Sequence, residues 1–585
     1  MKLGLTVLKK KGGRLERLDC ETFPFRKAWW GEPGLREYID TFSRLVSEKS
    51  RDLRYVVSDT LSRLDGRTHF FDKLSKCAQL IEAIESAKGN FRIENLEPAL
   101  YAGLRDILDR KGIRWSGGRA RFLLLRAARA ARLPFRFGLA FFLDLALLFL
   151  AKAILPKPTE RDYDCAFLSF YDYRCKKDGR FRDDYFQPLI ERAARQGGRV
   201  VVLLTLYLNL SPWKPVRYMR GHITALRDIA GMSGEDGFGL SVCNRLLSTG
   251  GLVRAYIKAA GSFLKAGEKI THQGLDVSAL VNASLEEDYF RCEHIYAWKQ
   301  FYFFERLLSD FSIKRIVYAY ENHPWEKFLA LQRNRISPAT RLVGFQHTSF
   351  SMKLLQYFPG KFELDLPFYP DKILTVGKVP EEVMNEFGEY GKGLVEPGCA
   401  LRHEYIWKGR FGWGRGRHVF RKKVAYAFSF DMSVYPAILD ALRDSFEGSE
   451  YTVYLKVHPI VPVEAVIKGK LPYNFIMAKY MPWEDIFREI DILFYDDNSL
   501  GIEALKHPVD VAYFGLACST YDCDRLFKYG KEKISVNSKE ELKTFISDYY
   551  RSGIKPEKDL WYRAGYLSRY FAPITPERLD RFLHC

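Results

Sequence analysis

Apolar strands alternate with amphipathic helices over most of this chain, and that alternation restricts the folds open to it. From residue 164 onward, the strand-like segments CAFLSF and RVVVLLTLYL enclose the helical segment FQPLIERAARQGG. A second series begins near Asp371 with KILTV and continues through VAYAFSF, TVYLKV, DILFY, VDVAYFG and KISV. Such alternation is typical of βαβ units, in which crossover helices join parallel strands. The sequence therefore predicts an α/β fold with two parallel-sheet domains.

Four regions follow from this pattern. Residues 1–115 place charged and apolar residues at helical spacing, so we expect a helical N-terminal region. Residues 116–158 form a basic and apolar helical segment. Residues 159–365 are predicted to form an N-terminal Rossmann-like domain, and residues 366–585 a C-terminal one with a closing helix that packs back. We expect the two domains to face each other across a cleft.

A basic stretch leads directly into an apolar helix in the second region. The apolar run from Phe137 to Ala151 contains Asp144, and it follows Arg119, Arg121, Arg126, Arg129, Arg132 and Arg136. The run is shorter than the roughly 20 apolar residues that span a bilayer, and Asp144 would cost about 2.5 kcal/mol at mid-membrane. Two interpretations fit: a helix that lies on an anionic membrane surface through residues 119–155, or a buried helix between domains.

The charge balance favours a polyanionic partner. The chain has 91 Lys and Arg against 72 Asp and Glu, a formal charge of +19, which suits anionic lipid, phosphorylated substrate or nucleic acid. Recognisable nucleic-acid-binding motifs are absent from the sequence, so we expect no nucleic-acid partner. Ten scattered cysteines without CxxC spacing, and an N-terminus without a secretory apolar core, predict a cytoplasmic location.

A His-Pro pair follows one strand of the second series. His458 and Pro459 come directly after TVYLKV, which puts an imidazole at the carboxyl edge of the sheet. In open α/β sheets, ligands bind beyond that edge, so His458 is placed to donate to a phosphate. The alternative is that the pair only begins a turn, because proline stops the strand.

The loop after the strand DILFY enters a helix. Asn498 and Ser499 stand at the start of that helix, where backbone N–H groups and the helix dipole favour an anion such as a diphosphate. Gly501 lets a ligand approach closely, and Glu503 is suited to accept hydrogen bonds from ribose or sugar hydroxyls. The alternative is ordinary helix capping by Asn498 or Ser499.

Two polar loops also follow strands of the first series. Glu321 opens the segment ENHPWEK, and Gln346 and His347 follow the strand RLVGF, so both loops emerge at one sheet edge and suggest a substrate cleft. A third loop, after CAFLSF, supplies several acids that include Asp178. Transfer of a sugar to a hydroxyl needs a carboxylate or a histidine as general base. All three loops can supply one.

Three of these motifs resemble known carbohydrate enzymes. The HP pair and the motif S-x-G-x-E-A, which begins at Ser499, look like the donor half of capsule Kdo-transferases and bacterial polysialyltransferases, which use CMP-linked sugars. The motif E-x-x-x-W-E, which begins at Glu321 and is followed by G-F-Q-H-T, resembles surface carbohydrate biosynthesis proteins with a two-Rossmann (GT-B) plan. Together the similarities cover about residues 160–520.

The resemblance implies a role for each motif. The set that would bind the donor nucleotide sugar is His458, Pro459, Asn498, Ser499, Gly501 and Glu503. The set that would bind the acceptor glycan or glycolipid is Trp325, Glu326 and Gln346, and the catalytic set is Glu321 as preferred base, Asp178 and His347. The implied reaction moves a sugar, with inversion and without a metal or other cofactor, from a nucleotide donor to a growing bacterial surface polysaccharide. A CMP-sugar is the favoured donor.

Two other functions fit the same residues. A polyol-phosphate polymerase resembling the CDP-glycerol transferases of teichoic-acid synthesis would carry the HP pair and a later serine motif on the same two domains. A catalytically silent scaffold would use the charge of +19 and the many aromatic residues to bind a polyanion. The motifs GxxxxGK[ST], HExxH and GxSxG are absent, so P-loop ATPase, zincin and serine-hydrolase functions have no support.

Overall fold

The structure, a computed structural model, describes most of the chain. From residue 118 to 584 it leaves out 157, 159, 209, 211, 233–236, 268, 273, 409–419, 431, 433, 459–460, 463–466, 468, 516–522, 531–532 and 553–559. Before residue 118 it describes 6–11, 14–18, 32–64, 91–94 and 114–115, with residues 68, 70, 71, 73, 74, 77 and 104. Pro459, a member of the predicted donor-binding set, lies outside the described residues.

The N-terminal region contains a helix, as predicted, and also a sheet that was not predicted. The described helices are α1 Glu32–Glu48 and α2 Leu53–Val56. Four strands lie in the order β2-β1-β3-β4, namely β1 Thr6–Lys11, β2 Arg14–Leu18, β3 Phe91–Glu94 and β4 Arg114–Trp115. The first two strands, TVLKKK and RLERL, are rich in Lys and Arg, and the second contains no β-branched residue. Strand propensity therefore gave no signal for them.

This N-terminal region docks on the domain that follows it. Arg63 and Glu363 form an ion pair in which both side chains are buried. Lys327 Nζ donates to Ser62 Oγ at 2.9 Å, and Ser58 Oγ donates to an Asp288 carboxylate oxygen at 2.8 Å. A buried charge is tolerated only when it is paired and hydrogen-bonded, so these contacts fix the region in place.

The basic and apolar segment folds into one helix, α3 Gly118–Ile154, which ends before Pro156. Within the described residues, one stretch, Leu123–Ile154, is long and apolar enough to cross a membrane by length and composition. One face of α3 packs on the first α/β domain, where Asp144 is buried and binds two partners. The buried-helix interpretation therefore holds for that face of the helix.

A seven-stranded parallel sheet forms the first α/β domain. Its strands are β5 Cys165–Tyr171, β6 Val200–Leu206, β7 Gly239–Val242, β8 Arg315–Ala319, β9 Arg341–Gln346, β10 Lys372–Thr375 and β11 Val395–Pro397. The order across the sheet is β7-β6-β5-β8-β9-β10-β11. Its helices are α4 Gln187–Arg195, α5 Pro215–Met232, α6 Cys243–Leu246, α7 Thr249–Ala260, α8 Ser278–Arg291, α9 His294–Asp310, α10 Pro324–Ile336 and α11 Lys378–Phe387.

A six-stranded parallel sheet forms the second domain. Its strands are β12 Lys423–Ala427, β13 Thr452–Lys456, β14 Phe475–Met477, β15 Ile492–Tyr495, β16 Asp510–Phe514 and β17 Ile534–Val536, in the order β14-β13-β12-β15-β16-β17. The helices that follow are α12 Tyr435–Phe446, α13 Trp483–Glu489, α14 Leu500–Glu503, α15 Lys539–Ser552, α16 Leu560–Tyr570 and α17 Pro576–His584.

Both sheets have the strand order of a Rossmann domain, and this confirms the predicted fold class. Counted along the chain, each sheet has the order 3-2-1-4-5-6, with one further strand in the first sheet. The order reverses between strands 1 and 4, which are β5 and β8 in the first sheet and β12 and β15 in the second. In open sheets of this kind, ligands bind outside the carboxyl ends of the strands at that reversal. The loops after these four strands are therefore the place to look for a site.

The sheets divide the chain later than the predicted boundary at residue 365. Strand β10 was assigned to the second series, but it pairs in parallel with β9 of the first sheet, and β11 follows it there. The C-terminal helices also return to the first domain. Asp580 of α17 accepts hydrogen bonds from Arg192 Nε and Nη2 at 3.0 and 2.8 Å, and the Phe582 ring packs on Phe345.

Candidate functional site

The loop after β8 places a carboxylate between two imidazoles. Glu321 Oε2 lies 2.6 Å from Nε2 of His323, and Glu321 Oε1 lies 3.6 Å from Nε2 of His347, which follows β9. Parallel neighbours β8 and β9 end at the same sheet edge, so the two loops meet as predicted. The Glu321 side chain is 35% exposed, whereas His347 is buried. The exposed carboxylate is thus the member of this cluster that a substrate can reach.

Burial sets the protonation state of His347. Desolvation lowers its pKa to about 3, against the opposing attraction of the Glu321 carboxylate, so the ring is neutral at pH 7. Its Nδ1 is buried and has no hydrogen-bond partner within the described residues. The Tyr185 ring packs edge-on against His347 at 5.0 Å between centroids. A neutral, packed imidazole orients Glu321 without competing with it for a proton.

Glu326 holds the loop in shape, and its burial does not support the predicted contact with an acceptor. Its carboxylate accepts the backbone N–H of Glu321 at 3.0 and 3.1 Å and that of Asn322 at 2.8 Å. Glu326 occupies the third position of α10, from which a glutamate reaches back to free N–H groups before the helix. Burial raises the pKa of Glu326 well above its usual range. The side chain is too enclosed to contact a glycan directly.

Two further acceptor-side predictions are also corrected by burial. The Trp325 ring packs against Phe170, Phe304 and Tyr318, with centroids 5.9 to 6.4 Å apart, so it belongs to the core beneath the site. Gln346 is fully buried, donates to the carbonyl of Thr348 and accepts the backbone N–H of Val376 at 3.4 Å. Both residues support the loops from below.

Asp178 is a turn residue. It stands with Gly179 between two antiparallel two-residue strands, Lys176–Lys177 and Arg180–Phe181, and both turn residues have positive φ. Two-residue hairpin loops of this type favour Asp-Gly for that reason. The Asp178 side chain is exposed and has no polar partner in the described part of the chain. The structure therefore gives it no place beside Glu321, and its prediction as a base is not supported by the geometry.

In the second domain, Asn498 and Asp496 shape the loop after β15. Asn498 Nδ2 donates to the carbonyl of Ala427 at 2.8 Å, and its Oδ1 accepts the N–H of Leu500 at 3.0 Å. The capping alternative is thus the observed role of Asn498. Burial, with repulsion from Asp497, raises the pKa of Asp496 to about 7, while hydrogen bonds from Ser429 act in the opposite sense. The loop sits at the reversal of the second sheet.

Ser499 and Glu503 lie one helical turn apart and are joined. Ser499 Oγ donates to Glu503 Oε1 at 2.6 Å, and the Tyr405 hydroxyl donates to Glu503 Oε2 at 2.5 Å. Burial raises the pKa of Glu503. Tyr405 belongs to the turn Leu401–Ile406 that follows β11 of the first sheet, so this contact joins the two domains. Ser499 and Glu503 stand at the predicted position, at the carboxyl edge and facing the other domain.

Gly501 has a packing role. A Cβ on Gly501 would lie 2.5 Å from ring carbons of Tyr495, on the strand that precedes the helix. The glycine therefore lets α14 pack closely on β15, and the prediction that it admits a ligand is not supported. His458 follows β13 as expected and is half-buried beside the Phe430 ring. Burial lowers its pKa, so it is neutral at pH 7.

Two arginines complete the cluster, and sequence reasoning missed both. Arg525 is buried and donates to Asp497 of the second domain and to Ser349 of the first through five hydrogen bonds. The Arg402 guanidinium lies over the Tyr185 ring at 4.4 Å and forms no ion pair within the described residues. Arg402 lies in the same turn as Tyr405, which bonds Glu503, and the Tyr185 ring beneath it packs on His347, so Arg402 stands between the two halves of the site.

Neither arginine carried a usable sequence signal. Arg402 follows β11, a strand too short to be recognised, and Arg525 follows the stretch 516–522 rather than a strand end.

Among the described residues, no group of three or more His, Cys, Asp or Glu is placed to hold a metal ion. The candidate site thus consists of a carboxylate-imidazole cluster at the edge of the first sheet and a serine-glutamate pair at the edge of the second, joined by the turn that carries Arg402 and Tyr405.

Comparison with known proteins gives likenesses of shape only. No family model matches the chain, and no curated protein matches its sequence. A glycotransferase of kitacinnamycin is 11% identical over 73% of this chain and 100% of that chain, with a TM-score of 0.38. A UDP-N-acetylglucosamine 2-epimerase is 9% identical over 73% of this chain and 95% of that chain, with a TM-score of 0.37. A wall teichoic acid polymerase is 8% identical over 79% of this chain and 96% of that chain, with a TM-score of 0.35. Likeness at this level does not assign an activity, so the functional argument rests on the site itself.

Proposed function

We propose that the protein is a cytoplasmic glycosyltransferase that moves a sugar from a nucleotide-activated donor to a growing bacterial surface polysaccharide. One observation carries this proposal: the half-exposed Glu321 and the joined pair Ser499 and Glu503 lie at the reversal points of two facing Rossmann sheets, with Arg402 between them. A base on one domain and phosphate-binding groups on the other are the two elements that sugar transfer needs.

The acceptor side of the cleft supplies the base. An acceptor hydroxyl that enters it would give its proton to Glu321, while its oxygen forms a bond to the anomeric carbon of the donor sugar. The bond from that carbon to the phosphate oxygen breaks, and its electron pair leaves with the nucleotide phosphate. A single displacement of this kind inverts the anomeric centre. His323, 2.6 Å from Glu321, fixes the direction of the carboxylate.

The donor side supplies charge stabilisation for the leaving phosphate. Arg402 is a cation without an ion pair in the described chain, and a phosphate is a stronger partner for a guanidinium than the Tyr185 ring beneath it. Ser499 and His458 can donate to the same group, because both side chains stand just beyond strand ends of the second sheet. Together they would stabilise the negative charge that develops as the glycosidic phosphate bond breaks.

The donor nucleotide and the acceptor are the finer parts of the proposal. A CMP-sugar is favoured because the HP pair and the motif that begins at Ser499 resemble enzymes that use CMP-linked sugars. Support for a surface polysaccharide as acceptor comes from the E-x-x-x-W-E motif, which is shared with surface carbohydrate biosynthesis proteins. The chemistry described above needs no metal ion, since Arg402 and the hydroxyl donors supply the stabilisation.

A nucleotide panel tests the proposal directly. Thermal stabilisation by CMP, CDP, UDP and GDP is measured for the parent and for Arg402→Gln, Ser499→Ala and Glu321→Gln. We expect a shift selective for CMP, an affinity about 10-fold to 100-fold weaker in Arg402→Gln, and full binding in Glu321→Gln. Sugar transfer from a CMP-sugar should fall about 100-fold or more in Glu321→Gln, because the base is gone. The matched control is Arg488→Gln, which alters an exposed arginine on α13.

The alternatives give different results. A shift selective for CDP, with transfer of a phosphopolyol from a CDP-polyol, would assign the protein to the polyol-phosphate polymerases instead. Absence of a shift with every nucleotide, while the melting curve of the parent remains cooperative, would leave the polyanion-binding scaffold as the better description. Equal transfer rates for the parent and Glu321→Gln would remove Glu321 from the mechanism.

A further inference from the structure

Helix α3 carries a stripe of exposed phenylalanines along its outer face. Phe135, Phe142 and Phe149 are 66%, 68% and 55% exposed. They are spaced seven residues apart, about two helical turns, so they lie on one side of the helix and span about 21 Å. Leu124, 70% exposed, extends the stripe towards the start of the helix. Exposed apolar side chains are common singly, but an aligned row of this length marks an interaction surface.

The opposite face of α3 is fixed to the protein. Asp144 accepts hydrogen bonds from Lys299 Nζ at 2.8 and 2.9 Å and from the Tyr256 hydroxyl at 2.6 Å. Leu147 and Leu148 are buried on the same side. The helix is therefore held against the first domain while its phenylalanine stripe faces outward. A helix that crossed a bilayer would have to break this buried charged contact.

Neighbouring helices extend the apolar surface. Trp213, half-exposed at the start of α5, stacks on Phe135 with ring centroids 6.1 Å apart, and the nearby Val216 is exposed. On α7, which contacts α3 through Tyr256, the outward residue Ile257 is exposed as well. Tryptophan and phenylalanine in such a row are the side chains that bind at the boundary between lipid headgroups and acyl chains.

Exposed cations surround this surface, and acidic side chains are absent from the segments that form it. The cations are Arg132, Lys214, Arg217, Arg220 and Lys258. Residues 212–227 and 249–265 contain no Asp or Glu, and the one acid of α3 is the buried Asp144. A second copy of the same face would meet it with like charges. An anionic surface is its complement.

We propose that α3, with the start of α5 and the last turn of α7, is a docking surface for an anionic phospholipid bilayer, on which the helix lies parallel to the membrane plane. The phenylalanine stripe enters the acyl boundary, and the surrounding cations contact anionic headgroups. This surface is argued from α3 and its neighbours alone and does not depend on the transferase activity. It would hold the cleft next to any membrane-bound acceptor.

Vesicle flotation tests the docking surface with the full chain. The probes are vesicles of phosphatidylcholine alone and vesicles with about 30% phosphatidylglycerol, a content chosen to give an anionic surface. The test variant combines Phe135→Gln, Phe142→Gln and Phe149→Gln, and its control replaces three exposed aromatics elsewhere, Tyr473, Tyr480 and Trp561, with Gln. We expect the parent and the control to float with anionic vesicles, and the test variant to bind at least about tenfold more weakly.

Several results would overturn this proposal. The first is that the parent binds neutral and anionic vesicles equally, and the second is that it binds neither. The third is that the test variant binds as well as the control. Parent protein that resists alkaline carbonate extraction from membranes would show a spanning helix instead. If the triple variant melts earlier than the parent, Phe142→Gln alone is used, because this side chain faces solvent. Unchanged flotation of that single variant and of the pair Phe142→Gln and Trp213→Gln would count against the surface.

Discussion

The ion pair between Arg525 and Asp497 is a buried charged contact inside the second domain, and its loss should strongly destabilise that domain. The two side chains are only 10% and 4% exposed, and two hydrogen bonds of 2.9 and 3.1 Å join them. Arg525 also donates to Ser349 Oγ at 2.8 Å across the domain boundary. Replacing Arg525 with Met keeps the volume and leaves the Asp497 carboxylate buried without its partner.

The expected magnitude follows from that burial. Removing one partner of a buried ion pair costs about 3–5 kcal/mol, because an uncompensated charge remains inside the protein. The two lost hydrogen bonds to Ser349 add about 1 kcal/mol each. The double variant Arg525→Met with Asp497→Asn removes both charges, so its loss should be smaller than the sum of the two single losses by about 2 kcal/mol or more.

Urea unfolding followed by tryptophan fluorescence gives the free energy of unfolding of the parent, the two single variants and the double variant. The control is Lys543→Met, which removes an ion pair of 3.0 Å whose side chains are 51% and 49% exposed. Exposed pairs contribute about 1 kcal/mol at most. A loss in Arg525→Met no larger than in the control, or losses that simply add in the double variant, would refute the view that Arg525 neutralises a buried charge.

Three further changes test individual parts of the site. Because burial raises the pKa of Asp496 to about 7, the folded state keeps a proton there that the unfolded chain loses above about pH 4. The free energy of unfolding should therefore fall as the pH rises from 4 to 7. In Asp496→Asn, the difference between the free energies of unfolding measured with urea at pH 5 and at pH 8 should be smaller than in the parent. Gly501→Ala should cost about 1–3 kcal/mol by collision with Tyr495 in melting experiments, whereas Gly565→Ala, where a Cβ meets nothing within 4 Å, should not. Glu326→Gln should lower the melting temperature through about 1–3 kcal/mol of lost loop hydrogen bonds, whereas Glu450→Gln, in an exposed pair with Lys422, should not.

The strands were readable from the sequence because buried parallel strands are continuous apolar runs. Val200–Leu206 and Ile492–Tyr495 are examples, and both stand where the pattern predicted them. Membership of a sheet was not readable, since Lys372–Thr375 has the same composition as a strand of either domain. Only the pairing with β9 shows that it extends the first sheet.

The site was predictable to the extent that its residues directly follow strands. Glu321 and His347 meet because β8 and β9 are parallel neighbours, and this needs only the fold class. The sequence does not show in which direction a side chain points after a strand ends. Trp325 was therefore predicted to contact the acceptor, although it packs into the core. Arg402 and Arg525 reach the site from turns distant in sequence, and no local pattern marks such residues.

Under the proposed function, donor binding should depend most on Arg402, because the carboxylates near it already have partners. Glu503 is held by Ser499 and Tyr405, Glu321 by His323, and Asp497 by Arg525, so each of these carboxylates has a partner already. A donor phosphate that binds here adds negative charge to a region that holds all three. Arg402 is the cation between the two halves of the site that forms no ion pair within the described chain. Its charge is therefore available to offset that of the phosphate, while the hydroxyl of Ser499 can turn from Glu503 to the phosphate at little cost, since one hydrogen bond replaces another.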